Sequence, residues 1–314
     1  MRTSTASQAF ESGRGKLLAG GKSLQQEKDA IMRLDNSRES NNIEDRRGRR
    51  VRLGGRGGKI GLGTIVLALV AMYFGIDPSV VLQTATEPVE TQTTASVPAD
   101  TPETQFVSKV LADTEDVWGA VFRQQGAGVY QEPKLVLFTG ATPTACGTGQ
   151  SAMGPFYCPG DSKVYLDLSF FHEMVQQLNS PGDFAQAYVI AHEVAHHVQH
   201  LLGVTDQVDE ARRGASAAAA NQLSVRVELQ ADCLAGVWAN HSNTQRSTLE
   251  PGDIEEGLNA ASAIGDDTLQ KRAQGYVVPD SFTHGTSAQR VRWFRRGFES
   301  GDPGRCNTFN AETL

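Results

Sequence analysis

The sequence predicts a mostly helical α+β domain behind a disordered basic N-terminus and one transmembrane helix. Three observations lead there. Apolar residues between 104 and 299 recur mainly at helical spacing, and only Lys134–Phe138 and Lys163–Leu168 read as short strands. Ile60–Ile76 is uncharged over 17 residues, the short end of a bilayer span. Charge is also divided unevenly: residues 1–59 hold 14 Lys+Arg against 7 Asp+Glu, and the remainder holds 15 against 29. A basic head and an acidic body do not suggest a nucleic-acid enzyme. They suggest a membrane between them.

Residues 1–45 are polar, short of aromatics and without sustained periodicity, the composition of a disordered segment. From Arg46 to Lys59 seven basic residues alternate with glycines, and the apolar run follows at once, closed by Asp77-Pro78. A buried core helix would lack that abrupt basic flank. A cleaved signal peptide would need a small-residue cleavage site, and none follows. An uncleaved anchor is the expectation. The positive-inside bias then puts residues 1–59 in the cytoplasm and the body outside it, single-pass in the cytoplasmic membrane. Residues 77–105 form a Thr/Glu/Pro/Ala spacer. The remaining domain, 106–314, should fold from about Phe106 to Asn307. Its helices are expected at Thr104–Gln125, 169–178, 183–202, 220–240, 252–264 and 286–299.

One of these helices carries a motif. Ala187–Gly203 contains His192, Glu193 and His196, the pattern H-E-x-x-H. Residues four apart share a helix face, so both imidazoles can reach one metal ion, usually zinc. Glu193 sits roughly 100° round the helix, where a general base can stand beside the metal. A third ligand is needed. His200 lies eight residues from His192, about 12 Å along the axis, too far for a shared ion. His197 points away from that face, and Gln199 and Leu202 break the longer H-E-x-x-H-x-x-G-x-x-H pattern. On the later helix Gln222–Trp238, Glu228 and Asp232 share a face. One carboxylate can bind the metal while the other accepts a ligand histidine's free N–H. An ordinary polar stripe would look the same.

H-E-x-x-H followed by E-x-x-x-D resembles the gluzincin metallopeptidases. The stretches His192–Gln199, Glu228–Cys233 and Asp280–Arg290 further resemble the bacterial neutral zinc metallopeptidases of the YpfJ type, over about Arg38–Phe309. The resemblance implies a zincin-like domain with one zinc ion, held by His192, His196 and Glu228. It implies Glu193 as catalytic base and Asp232 as the carboxylate behind the ligands. It also implies a start near Met32, which makes the first 31 residues either an over-called translation start or an extension. In the zincin arrangement an edge strand beside the metal helix pairs with an extended substrate; the sequence does not say which strand does so here. His284, at a loop-to-helix junction, is either a capping residue or a donor to the oxyanion of peptide hydrolysis, with Arg290 as second donor or electrostatic support.

The expected function is therefore a membrane-anchored zinc metallopeptidase acting on a peptide or protein substrate. The alternative is a zinc-binding, membrane-tethered envelope scaffold that cleaves nothing. No nucleic-acid partner is expected. The cysteines Cys146, Cys158, Cys233 and Cys306 allow three pairings. Cys146 and Cys158 bracket a Gly/Pro-rich loop that a bridge would staple, leaving Cys233 for Cys306. Free buried thiols are the competing reading, and a cysteine zinc site lacks C-x-x-C spacing.

Overall fold

Apolar spacing does produce the helices, and backbone chemistry marks their ends. The computed structural model describes residues 32–35, 37–48 and 100–314. The expected disorder of residues 1–31, the anchor Ile60–Ile76 and most of the spacer lie outside the described residues. Among those described, no helix is long and apolar enough to cross a membrane. Helix α1 (Pro102–Gln125) starts at a capping box between Thr101 and Thr104 and stops at Gly126, with φ 64°. Its Val107, Val110, Leu111, Val117 and Trp118 are buried in the core.

Strand β1 (Ile43–Asp45) precedes α1, and β2 (Lys134–Phe138) follows it. A hairpin of β3 (Ala141–Thr144) and β4 (Gly147–Gln150) comes next, then β5 (Phe156–Cys158) and β6 (Lys163–Asp167). The main sheet runs β1-β2-β6-β5, parallel except for β5, which is antiparallel to β6. The two strands expected from sequence are thus the interior pair. Both edges, β1 and β5, went unread because each is only three residues long.

Seven helices follow: α2 (Ser169–Gln176), α3 (Asp183–Leu201), α4 (Val204–Arg212), α5 (Ala217–Arg246), α6 (Asp253–Ala263), α7 (Asp266–Gln274) and α8 (Ser287–Ser300). Helix α3 lies at the centre, packed on α1, α5, α6, β5 and β6. Phe184, Ala187, Tyr188, Ala191, Val194 and Ala195 are fully enclosed there. Helices α5 and α8 approach so closely that a Cβ on Gly236 would meet Phe294 O at 2.1 Å, and one on Gly297 would meet Cys233 O at 1.8 Å. That contact sets the depth at which α8 presents its first turn. Both disulfides, Cys146–Cys158 and Cys233–Cys306, are present as expected.

One expectation fails clearly. Residues 32–35 and 37–48 are part of this domain, not disordered. Met32 and Leu34 are buried in the core. Arg38 pairs with Glu115 at 2.7 Å and Asp116 at 2.8 Å, Glu44 meets Lys163 at 2.7 Å, and β1 runs parallel to β2. The segment is polar because it supplies partners to α1 and β6, so composition hid it.

Candidate metal centre

The buried polar residues of α3 gather where α3 meets α5. His192 and His196, one turn apart, both turn Nε2 toward Glu228: His192 Nε2 lies 3.1 Å from Glu228 Oε2 and His196 Nε2 3.6 Å from Oε1. One donor atom from each of the three lies within 4.8 Å of the others. Two imidazole nitrogens and one carboxylate are a tetrahedral zinc donor set with a position left over.

The other ring nitrogens are fixed from behind. His192 Nδ1 donates to Asp232 Oδ1 at 2.9 Å, and His196 Nδ1 donates to Gln199 Oε1 at 2.8 Å. Those bonds set the tautomers that leave Nε2 for a metal. Gln199 is itself held through Nε2 by Val227 O at 2.8 Å and Gln230 Oε1 at 3.0 Å. Asp232, fully buried, also accepts from Tyr188 OH and from Arg290 Nε and Nη2, both at 2.9 Å. The Arg290 guanidinium also donates to Tyr188 OH and to Ile264 O, each at 3.3 Å.

Charge follows this wiring. Burial opposes ionisation of Asp232, but Arg290 and His192 overcome it and hold the carboxyl at about 2. Burial likewise opposes protonation of His192, yet Asp232 and Glu228 lift it to about 9. Glu228 is held well below its usual value by the two histidines, against its desolvation. A metal competes with those protons for the same nitrogens.

Glu193, one residue beyond His192, is buried, and no hydrogen bond to another described residue claims its carboxylate. His284 sits in the loop before α8. A Cβ on neighbouring Gly285 would stand 3.3 Å from both Leu229 and Val225, so the loop rides on α5 beside Glu228. The cap of α8 is Thr286, not His284. Asp266 organises the loop, accepting from the backbone N–H of Thr283, His284 and Gly285 at 2.7, 2.6 and 3.0 Å and from His284 Nδ1 at 3.2 Å. Burial opposes charging of His284, but Asp266 and Glu228 raise its pKa, and its side chain remains 44% exposed.

His197 faces away, as expected: Tyr157 OH donates to its Nδ1 at 3.0 Å, and its Nε2 donates to Gln131 O at 2.6 Å. That pair also ties edge strand β5 to α3. Sequence reasoning missed Gln199, Tyr188 and Asp266. Gln199, three residues after His196 on the same helix, was within reach of the spacing rule; the other two depend on tertiary contacts.

The comparisons accord with this geometry. Over 286 residues the chain is 54% identical to an Escherichia coli protein named YpfJ and described as uncharacterized, covering 88% of this chain and 99% of that one. An uncharacterized Mycobacterium bovis protein is 42% identical over 261 residues, covering 78% and 86%. An uncharacterized Mycobacterium tuberculosis protein matches to the same extent. No solved structure matches. The family model described as "Putative neutral zinc metallopeptidase" matches residues 32–309, and the chain belongs to that family.

Proposed function

We propose that the protein is a zinc-dependent peptidase that hydrolyses peptide bonds with Glu193 as general base. The observation that carries this is the convergence of His192, His196 and Glu228 on one point, with an unclaimed Glu193 carboxylate one residue along the same helix. One zinc ion, when bound, supplies Lewis-acid activation of water and of the scissile carbonyl. Glu193 takes the proton from the attacking water and passes it to the leaving amine. His284, oriented by Asp266, donates an N–H to the carbonyl oxygen as that atom gathers charge. Asp232 and Gln199 keep the ligand imidazoles in register. Strand β5, at the sheet edge and linked to α3 through Tyr157, offers the backbone along which an extended peptide pairs.

The protein's location is part of the same reading. Two disulfides favour an oxidising compartment outside the cytoplasm. Because β1 and β2 share one sheet, Ile60–Ile76 would enter and leave the membrane from a single face. An impermeant thiol reagent applied to intact cells should then label Glu39→Cys and Glu299→Cys alike. Protection of Glu39→Cys alone would restore a single crossing.

Incubating the zinc-loaded protein with an unstructured protein tests the activity. Cleavage should stop with a chelator and return with zinc. A protein with one bound zinc and no cleavage of any substrate offered would favour the scaffold reading.

A further inference from the structure

A second group of acids closes around the other end of α3. Asp183 opens α3, Asp253 opens α6, and Glu256 lies one turn further along α6. One carboxylate oxygen from each lies within 4.8 Å of the others. Each carboxylate is anchored through one oxygen only. Asp183 Oδ2 accepts from Met32 N at 2.6 Å, Asp253 Oδ2 from Glu250 N at 2.9 Å and Glu256 Oε2 from Phe184 N at 3.2 Å. Asp183 Oδ1 and Asp253 Oδ1 are buried with no hydrogen-bond partner among the described residues, and Asp253 is only 1% exposed. Unpaired buried carboxylate oxygens are costly. The cation close by, Arg33, is engaged with Glu250 on the surface.

We propose that Asp183, Asp253 and Glu256 form a second cation site, which takes a hard divalent ion of the calcium class. The donors are all oxygen and all anionic, unlike the imidazole-rich set of the metal centre, and oxygen donors of this kind suit calcium rather than zinc. Asp183 and Glu256 are only partly buried, so water completes the coordination that calcium needs. Gly182 makes the arrangement possible: with φ 113° and no Cβ, it leaves room for the Glu256 carboxylate, whose Oε2 would stand 2.0 Å from an added Cβ. Repulsion inside the cluster is visible in its acidity. Desolvation, then the neighbouring acids, raise Glu256 to about 7, and desolvation is also the main cause that lifts Asp253 to about 6. An ion there would fasten the start of α3, nine residues ahead of His192, to α6 and to the Met32 segment. It is distinct from the peptidase reading and holds whether or not the protein cleaves peptides.

Titration of the zinc-loaded full chain with calcium chloride tests the site by calorimetry and melting. Expected is one calcium per chain, with a dissociation constant on the order of 10⁻⁴–10⁻³ M, the range of extracellular calcium modules. About 10 mM calcium should then raise the melting temperature by several degrees. Asp253→Asn and Glu256→Gln should each lose that response while keeping one zinc. Each should melt above wild type without calcium, because a repelling charge is gone. The proposal fails if wild type shows no response, if both variants keep it, or if magnesium acts equally well. It also fails if a chain beginning at Met32 has lost the response and melts higher, since its α-ammonium would then fill the acid pocket itself.

Discussion

The two acid-bearing clusters on α3 stand roughly 13 Å apart along one helix axis, yet their carboxylates behave in opposite ways. At the metal centre Glu228 and Asp232 are pushed below their usual values, because two imidazoles and a guanidinium face them. At the start of the helix Asp253 and Glu256 are pushed up by desolvation first, and the neighbouring acids add to it. Burial weighs against ionisation in both places, so burial does not separate them. What differs is whether a cationic side chain was built into the shell. The metal centre has its counter-charges in protein, arranged so that Nε2 atoms stay available. The acid cluster has backbone N–H groups on one side and, among the described residues, no cationic side chain bonded to it, since Arg33 is paired with Glu250.

The contrast is broken most severely at Glu193. Glu193→Gln removes the base without touching a ligand or a tautomer bond. It should retain one zinc by metal analysis and lower kcat by about 10²–10⁴-fold, the scale of general base catalysis. Wild-type turnover in that variant would end the assignment. Next comes His284→Ala, expected to keep both zinc content and melting temperature and to lower kcat by about 10²–10³-fold, as for one lost oxyanion donor. Lost zinc would instead make His284 a ligand, and unchanged turnover would leave it a loop residue held by Asp266.

How much of this could be read from the chain depends on how far apart in sequence the partners lie. His192, Glu193 and His196 follow from helical spacing, and Glu228 and Asp232 from the same rule applied once more. The core helices were legible for that reason, with ends within three residues except that α5 runs six residues past its expected end at 240; α4 and α7 were not, since each spans nine residues and buries little. Strand β1 was illegible in principle. Arg38, Ser40, Asn42 and Glu44 look like solvated polar residues until α1 and β6 supply their partners. Arg290 illustrates the same limit at the site. Its distance in sequence from His284 suggested a shared role, whereas the close α5–α8 crossing at Gly236 and Gly297 delivers it to Asp232.

Gln199 offers a smaller lever on the metal centre. Gln199→Ala frees His196 Nδ1 and lets the ring turn and change tautomer. Removing such an outer partner should weaken zinc binding by roughly 10–100-fold, measured by competition with a chromogenic chelator. Cleavage at saturating zinc should change far less. An affinity equal to wild type would mean that the helix alone orients His196.

The smallest expected effect concerns the acid cluster and the pH dependence of stability. Unfolded Asp and Glu titrate near ~3.9 and ~4.3, whereas Asp253 and Glu256 rise to about 6 and about 7 in the fold. Between those values the folded protein binds more protons than the unfolded chain, so stability falls as pH rises. The contribution is fully present below about pH 4 and is lost on passing through about pH 6 to 7, as a property of the cluster rather than of either residue. Among the described residues, the charged groups facing the pair are Asp183, Glu250 and Arg33, of which Arg33 acts in the opposite direction. Other groups shape the stability profile too, so the measurement is a difference: melting temperature against pH for wild type, less that for the Asp253→Asn, Glu256→Gln double variant. The difference should decline from about pH 4 to about pH 7 without calcium and flatten or reverse with it, because a bound cation holds the ionised form. A difference that is flat in calcium-free buffer would mean that the two carboxyls are already compensated, and the contrast between the two ends of α3 would disappear.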